Sequence, residues 1–152
     1  MINDADQEPL NDIDEYYEEP VLLRPEKEEV TIQEEEQSEP QQYCSYQELR
    51  FRNFKLQTDS DGDHFCFLGQ HHYIIVDKIL CKINEKEIFI IGRYFLNVAD
   101  FFSKPVKSEE VGVVSCNNHL SEAKWFSITE LQTKCYAFPI TMDEWAVVQY
   151  LH

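Results

Sequence analysis

Three stretches of the sequence carry residue types whose spacing raises a question of chemistry. Asp59-Ser60-Asp61-Gly62-Asp63 opens like a calcium loop, in which alternating carboxylates wrap a hard cation. Here the glycine falls at position four instead of six and no glutamate closes the loop, so a hairpin turn is expected and not a calcium site. His71-His72 lies near Cys66 and Cys81 in sequence, a combination that invites zinc. Neighbouring residues on a strand point to opposite faces, and no second ligand pair follows at finger-like spacing, so no metal is expected. Cys116 and His119 pair a nucleophile type with a base type, but the Asn-rich loop around them offers no group to orient the imidazole. A surface loop is the plainer reading. With no phosphate-cradling glycine loop either, the sequence predicts a protein that is not an enzyme and has no cofactor.

The elements that would position any site begin with an uneven charge distribution. Of 152 residues, 29 are acidic and 13 basic, a net charge of −16. Residues 1–42 hold fifteen of the acidic residues against Arg24 and Lys27, a net of −13, which leaves −3 for the other 110. The first segment has little hydrophobic content to offset the entropy of ordering, so an acidic disordered tail is expected over 1–42. Its one interruption, Tyr16-Tyr17 through Val21-Leu22-Leu23-Arg24-Pro25, reads either as a short docking motif or as a chance apolar island. The charge argues against direct contact with duplex DNA, which needs clustered Lys and Arg. It suits a chain that meets basic partners, histone tails among them, or an acidic tail that only confers solubility.

The five cysteines are odd in number, form no Cys-x-x-Cys, and mostly sit in apolar runs, which favours a reducing compartment over a disulfide framework. The acidic N-terminus does not read as a signal peptide, and no 18-residue apolar run is present to span a membrane.

A single domain is expected over residues 43–152. Alternation from Arg50 to Leu56 has the period of a half-buried strand, and Thr58 to Asp63 is the strongest turn signal. Short strand 64–68 follows, then the long apolar runs 73–83 and 88–96, joined by Asn84-Glu-Lys-Glu87 as an antiparallel hairpin. Gly92 inside the second run suggests a bulge or a close backbone approach. Residues 97–108 read as an irregular loop and 111–115 as a further strand. Ser127-Ile-Thr-Glu130 matches a capping box ahead of Leu131 and Cys135, predicting a helix of about two turns. Thr141-Met-Asp-Glu144 repeats that pattern ahead of Trp145, Val148 and Leu151, predicting a C-terminal helix, although Val147-Val148 also suits a strand.

With these elements in place, residues 64–140 resemble a bromo-adjacent homology (BAH) domain. Tyr73-Ile74-Ile75 leads the first long strand and Arg93-Tyr94-Phe95 stands at the aromatic cluster. Glu110-Val111 with Ser115 marks the third element, and Leu131-Gln132-Thr133-Lys134-Cys135 the last. Leu96-Asn97 departs from the family's Arg-Pro. The resemblance implies a mainly β chain: a distorted antiparallel β-barrel with short peripheral helices and a disordered acidic tail. It also implies a nuclear, chromatin-associated interaction module that binds a histone tail or nucleosome-associated protein. Methyl-lysine readers of this family enclose a quaternary ammonium in an aromatic cage. Carried over by position, the cage residues are Tyr73, Phe95 and Arg93, with Tyr94 or the loop rings Phe101 and Phe102 replacing the ring that Arg93 lacks. Asp100 would supply the accompanying carboxylate. The alternative readings are that these aromatics are core or lip residues, and that the domain is a scaffold for a non-histone protein, marked by an exposed apolar patch.

Overall fold

A computed structural model describes residues 16–32, 41–83 and 85–150. Eleven strands account for most of them: β1 (Tyr17–Ile32), β2 (Gln41–Arg52), β3 (Phe54–Gln57), β4 (Phe65–Phe67), β5 (Tyr73–Lys82), β6 (Ile88–Tyr94), β7 (Val98–Asp100), β8 (Val113–Asn117), β9 (Lys124–Ser127), β10 (Thr133–Pro139) and β11 (Glu144–Gln149). They form one sheet in the order β1-β2-β5-β4-β10-β11-β8-β7, with β3 also on β2 and a β6–β9 branch on β5. All pairings are antiparallel. The order ends at β1 and at β7, so the sheet is open and the expected barrel does not close.

Strand β5 is the hub because each of its stretches meets a different partner. Ile79–Lys82 pairs with β2, Tyr73–Ile75 with β4, and the opposite edge takes β6 along most of its length. Its two apolar runs, Tyr73–Val76 and Ile79–Cys81, follow from burial on both faces, and Asp77 and Lys78 interrupt them at exposed positions. Ile74, Val76 and Ile79 enter a core with Leu49, Leu56, Ile90 and Leu131, whereas Tyr73 enters a second core with Phe65, Phe95, Val114, Cys135 and Val147. Period-two alternation therefore sorts neighbouring residues into two cores.

The β5–β6 hairpin forms as the sequence predicts, with its register shift between Val76 and Lys78, which makes Asp77 the extra residue. Gly92 lies opposite Val76, and a Cβ added to it would stand 2.5 Å from the Ile75 carbonyl oxygen. The close approach read from the sequence is thus met at Gly92, while the bulge itself belongs to β5.

Four expectations are corrected. The acidic tail is not uniformly disordered: 17–32 form β1, paired along β2 from Tyr17↔Arg52 to Ile32↔Gln41, and β2 itself begins at 41. The apolar island is what docks, with Leu22 packed on the first core and Arg24 donating to both carboxylate oxygens of Asp59 at 2.7 and 2.9 Å. Residues 1–15 and 33–40 lie outside the described residues. Second, the predicted C-terminal helix is strand β11. Thr141 caps no helix; its Oγ1 accepts from Asp143 N at 3.3 Å within a turn. Strand β11 then fills the gap between β10 and β8, pairing with both, which a helix could not do. Third, the helix at 127–135 is a single 3-10 turn, Ile128–Glu130. Its capping box is present, but Thr133 onward is claimed by pairing to β4 and β11. Peripheral α-helices are absent among the described residues. Fourth, the turn at 58–63 joins β3 to β4, which pair different strands, so it does not close a hairpin. The loop 97–108 also contains β7, and the third motif strand begins at Val113, after a 3-10 turn at Ser108–Val111.

Candidate functional site

The aromatic candidates are placed by the β5–β6 register. Tyr73 and Phe95 share a face, with Phe95 N donating to Tyr73 O at 3.0 Å, and both are inside the second core, 1% and 3% exposed. The Tyr73 hydroxyl accepts from Gln149 Nε2 at 3.0 Å, and burial pushes its pKa up to about 12. Tyr94, one residue before Phe95, packs against the other core. Its half-buried ring has the His72 ring at 5.0 Å and the Lys124 ammonium 5.3 Å from its centroid. Tyr94 is therefore separated from Tyr73 and Phe95 by the sheet itself.

The remaining candidates are engaged locally. Arg93 forms a two-bond pair with Asp77, at 2.9 and 3.0 Å, and so braces the bulge. Asp100 Oδ1 accepts from Glu109 N at 2.9 Å, and buried Ser108 Oγ accepts from the main-chain N–H groups of Phe101 and Phe102 at 2.6 and 3.2 Å. These bonds shape the β7–β8 loop and leave the rings of Phe101 and Phe102 exposed. The structure thus brings Tyr73 and Phe95 together inside the core, holds Asp100, Phe101 and Phe102 in one loop, and does not join the two groups into an exposed cage.

The chemically suggestive pairs resolve in the same way. Cys116 is fully buried, which pushes its thiol up to about 12, while His119 is exposed and its Nδ1 lies 3.3 Å from Asn97 Nδ2. His71 Nδ1 is in hydrogen-bond contact with a Glu109 carboxylate oxygen. In the Asp59–Asp63 turn, Asp59 is held by Arg24, and Asp63 by buried Lys134. No group of three or more His, Cys, Asp and Glu side chains is placed to hold a metal among the described residues.

A different surface combines access with direction. Strand β7 ends the sheet order, and an open groove of about 570 Å³ runs beside it. Leu96, Val98 and Ala99 line one side, Ser115 and Asn117 the floor, and Asp143 and Glu144 the other side. Because Val114 and Cys116 turn into the core, Ser115 and Asn117 must face outward, and Ser115 Oγ donates to Glu144 Oε1 at 2.9 Å. The bond from Asn117 N to Asn97 O, 3.1 Å, fixes the ladder phase. Val98 and Asp100 consequently direct their main-chain groups away from β8, along the edge that no strand pairs among the described residues. The lining carries two carboxylates and no Lys or Arg. Next to it the end of β10 exposes Phe138 (56%), and the β10–β11 turn exposes Ile140 and Met142 (94%).

None of the site candidates drawn from the sequence lines this groove. Its signal was available in Val114-Ser115-Cys116-Asn117, where small polar and apolar residues alternate, and in Phe138 to Met142, apolar residues on either side of a turn.

A family model described as Domain of unknown function (DUF8592) matches residues 29–150. No curated protein and no solved structure matches the chain.

Proposed function

We propose that this chain, which belongs to the DUF8592 family, is a non-enzymatic interaction module that receives an extended, positively charged segment along β7. The observation that carries the reading is the open sheet edge beside the Asp143–Glu144 groove. An extended peptide can add to such an edge through main-chain hydrogen bonds, while the groove selects its side chains. Carboxylates without neighbouring cations in the lining favour Lys or Arg in the guest. A histone tail has that chemistry, and the order of BAH-like motifs over 64–140 supports a nuclear, chromatin-associated setting. The groove, more than the rings of Tyr73 and Phe95, is the surface such a tail can reach.

The test is a fluorescence-polarisation titration of the full chain with histone-tail peptides, unmodified and trimethylated, beside an acidic peptide of equal length. Basic peptides bind and the acidic one does not. The double variant Asp143→Lys/Glu144→Lys weakens binding at least tenfold, and Val98→Pro, which removes an outward N–H without touching the β8 ladder, weakens it severalfold. Binding that is indifferent to both changes refutes the groove. Strict dependence on trimethylation together with loss in Tyr94→Ala would return the site to a cage.

A second reading, a scaffold for a non-histone protein, is favoured by the exposed Phe138, Ile140 and Met142. It predicts that Phe138→Ser/Met142→Ser abolishes partner binding while the charge-reversal variant leaves it intact.

A further inference from the structure

Strand β2 touches β5 over a short register, Tyr43 to Tyr46 against Lys82 to Ile79, before it departs to pair with β3. That register sets Cys44 directly opposite Cys81. Directly opposed residues of an antiparallel pair project from the same face, with Cβ atoms about 4.5–5.5 Å apart. Ile83 N donates to Gln42 O at 2.9 Å, which makes Gln42↔Ile83 a hydrogen-bonded pair and, two residues on, Cys44↔Cys81 another. The Cα separation of such a pair is about 5.5 Å, inside the range that disulfides span. Both thiols are free and half-buried, unlike Cys66, Cys116 and Cys135, which are fully buried. Cys81 also lines an open groove of about 510 Å³ with Leu22, Lys86, Ile88 and Ile128, which admits a small oxidant.

We propose that Cys44 and Cys81 are a reversible redox site, closing a cross-strand disulfide under peroxide. Peroxide delivers one oxygen to the Cys81 sulfur, giving a sulfenic acid and releasing one water. The Cys44 sulfur then attacks the Cys81 sulfur, and the S–S bond forms as the hydroxyl leaves with the Cys44 proton as a second water. Two thiols have given two electrons to one peroxide. A dithiol reductant reverses the step by thiol–disulfide exchange. The consequence is mechanical: the bond fastens the β1–β2–β3 ribbon to the β5–β6 body at the one place where β2 and β5 are laddered.

The test treats the full chain with hydrogen peroxide, blocks the remaining thiols with N-ethylmaleimide and maps the peptides by mass spectrometry. The expected product is one linked pair containing Cys44 and Cys81, lighter by two hydrogens, with the other three cysteines alkylated after unfolding. Oxidation raises Tm by roughly 5 °C or more, and dithiothreitol restores the original value. Cys44→Ser leaves Cys81 as a sulfenic acid that dimedone traps, and removes the Tm rise. The proposal is overturned if both cysteines are recovered alkylated, if the link joins other cysteines or two chains, or if Cys81 is carried to the sulfinic acid without a link in the wild-type chain.

Discussion

The pairing of Lys134 with Asp63 makes an asymmetric prediction. Lys134 sits on β10 with its side chain 7% exposed, whereas its partner on the β3–β4 turn is 27% exposed. The Lys134 ammonium also lies 5.2 Å from the Tyr136 ring centroid. In Asp63→Asn a buried ammonium loses its counter-charge. Orphaning one member of a buried pair costs about 3–5 kcal/mol, and the ring face and the partial exposure of the turn reduce this to about 2–3 kcal/mol. In Lys134→Met the stem still packs, and the carboxylate left behind can hydrate and already accepts from Ser60 Oγ at 3.2 Å. That change costs about 0–1 kcal/mol. The difference of about 2 kcal/mol corresponds to roughly a thirtyfold change in the unfolding constant. The double variant should recover most of the loss seen in Asp63→Asn. Urea unfolding followed through Trp125 and Trp145 fluorescence measures all three. If Lys134→Met costs as much as Asp63→Asn, or the double variant costs the sum of the two, the burial argument is wrong.

Three further outcomes follow from the same physics. Gly92→Ala forces a Cβ to within 2.5 Å of the Ile75 carbonyl oxygen, so it should cost about 1–2 kcal/mol after allowing for its chain-entropy gain, while Gly62→Ala, with nothing within 4 Å, should be neutral or slightly stabilising; thermal denaturation separates the two. Burial alone would raise the Glu48 carboxyl, but hydrogen bonds from Gln57 Nε2 at 2.7 Å and Arg50 Nε at 2.8 Å, with the charges of Arg50 and Arg24, hold it below its ordinary value of 4.5. The folded pKa being the lower one, the stabilisation is present above about pH 4.5 and is lost as pH falls through the folded value, and Glu48→Gln should flatten the stability curve in that acid window. Cys66, Cys116 and Cys135 are fully buried whereas Cys44 and Cys81 are half-buried, so iodoacetamide should label only Cys44 and Cys81 in the native chain and all five cysteines in urea, as counted by intact mass.

Much of the β content was legible because burial leaves a period-two record. The β5–β6 hairpin, the close approach at Gly92 and the cap at Ser127 could all be read from local residue types. At Thr141 the capping pattern starts no helix: the same hydroxyl that can cap a helix here accepts within a turn, and the open edges of β8 and β10 decide which. The acidic composition of β1 masks a strand because a segment average does not register partners elsewhere in the chain. Leu22 and Arg24 find partners, the first core and Asp59, that lie far along the chain. The aromatic candidates carried no mark of which face each would take, since Tyr94 and Phe95 differ by one residue and end in different cores.

By itself, then, the sequence determined that the chain would be built of strands, where its apolar hub would run, and how charge would divide between its first 42 residues and the rest, because each of these depends on neighbours along the chain. Strand order, the open edge at β7, the facing of Cys44 and Cys81 and the convergence of Ser115 with Glu144 were decided only in three dimensions. They join residues tens of positions apart, and no local preference encodes that a particular pair of edges will meet.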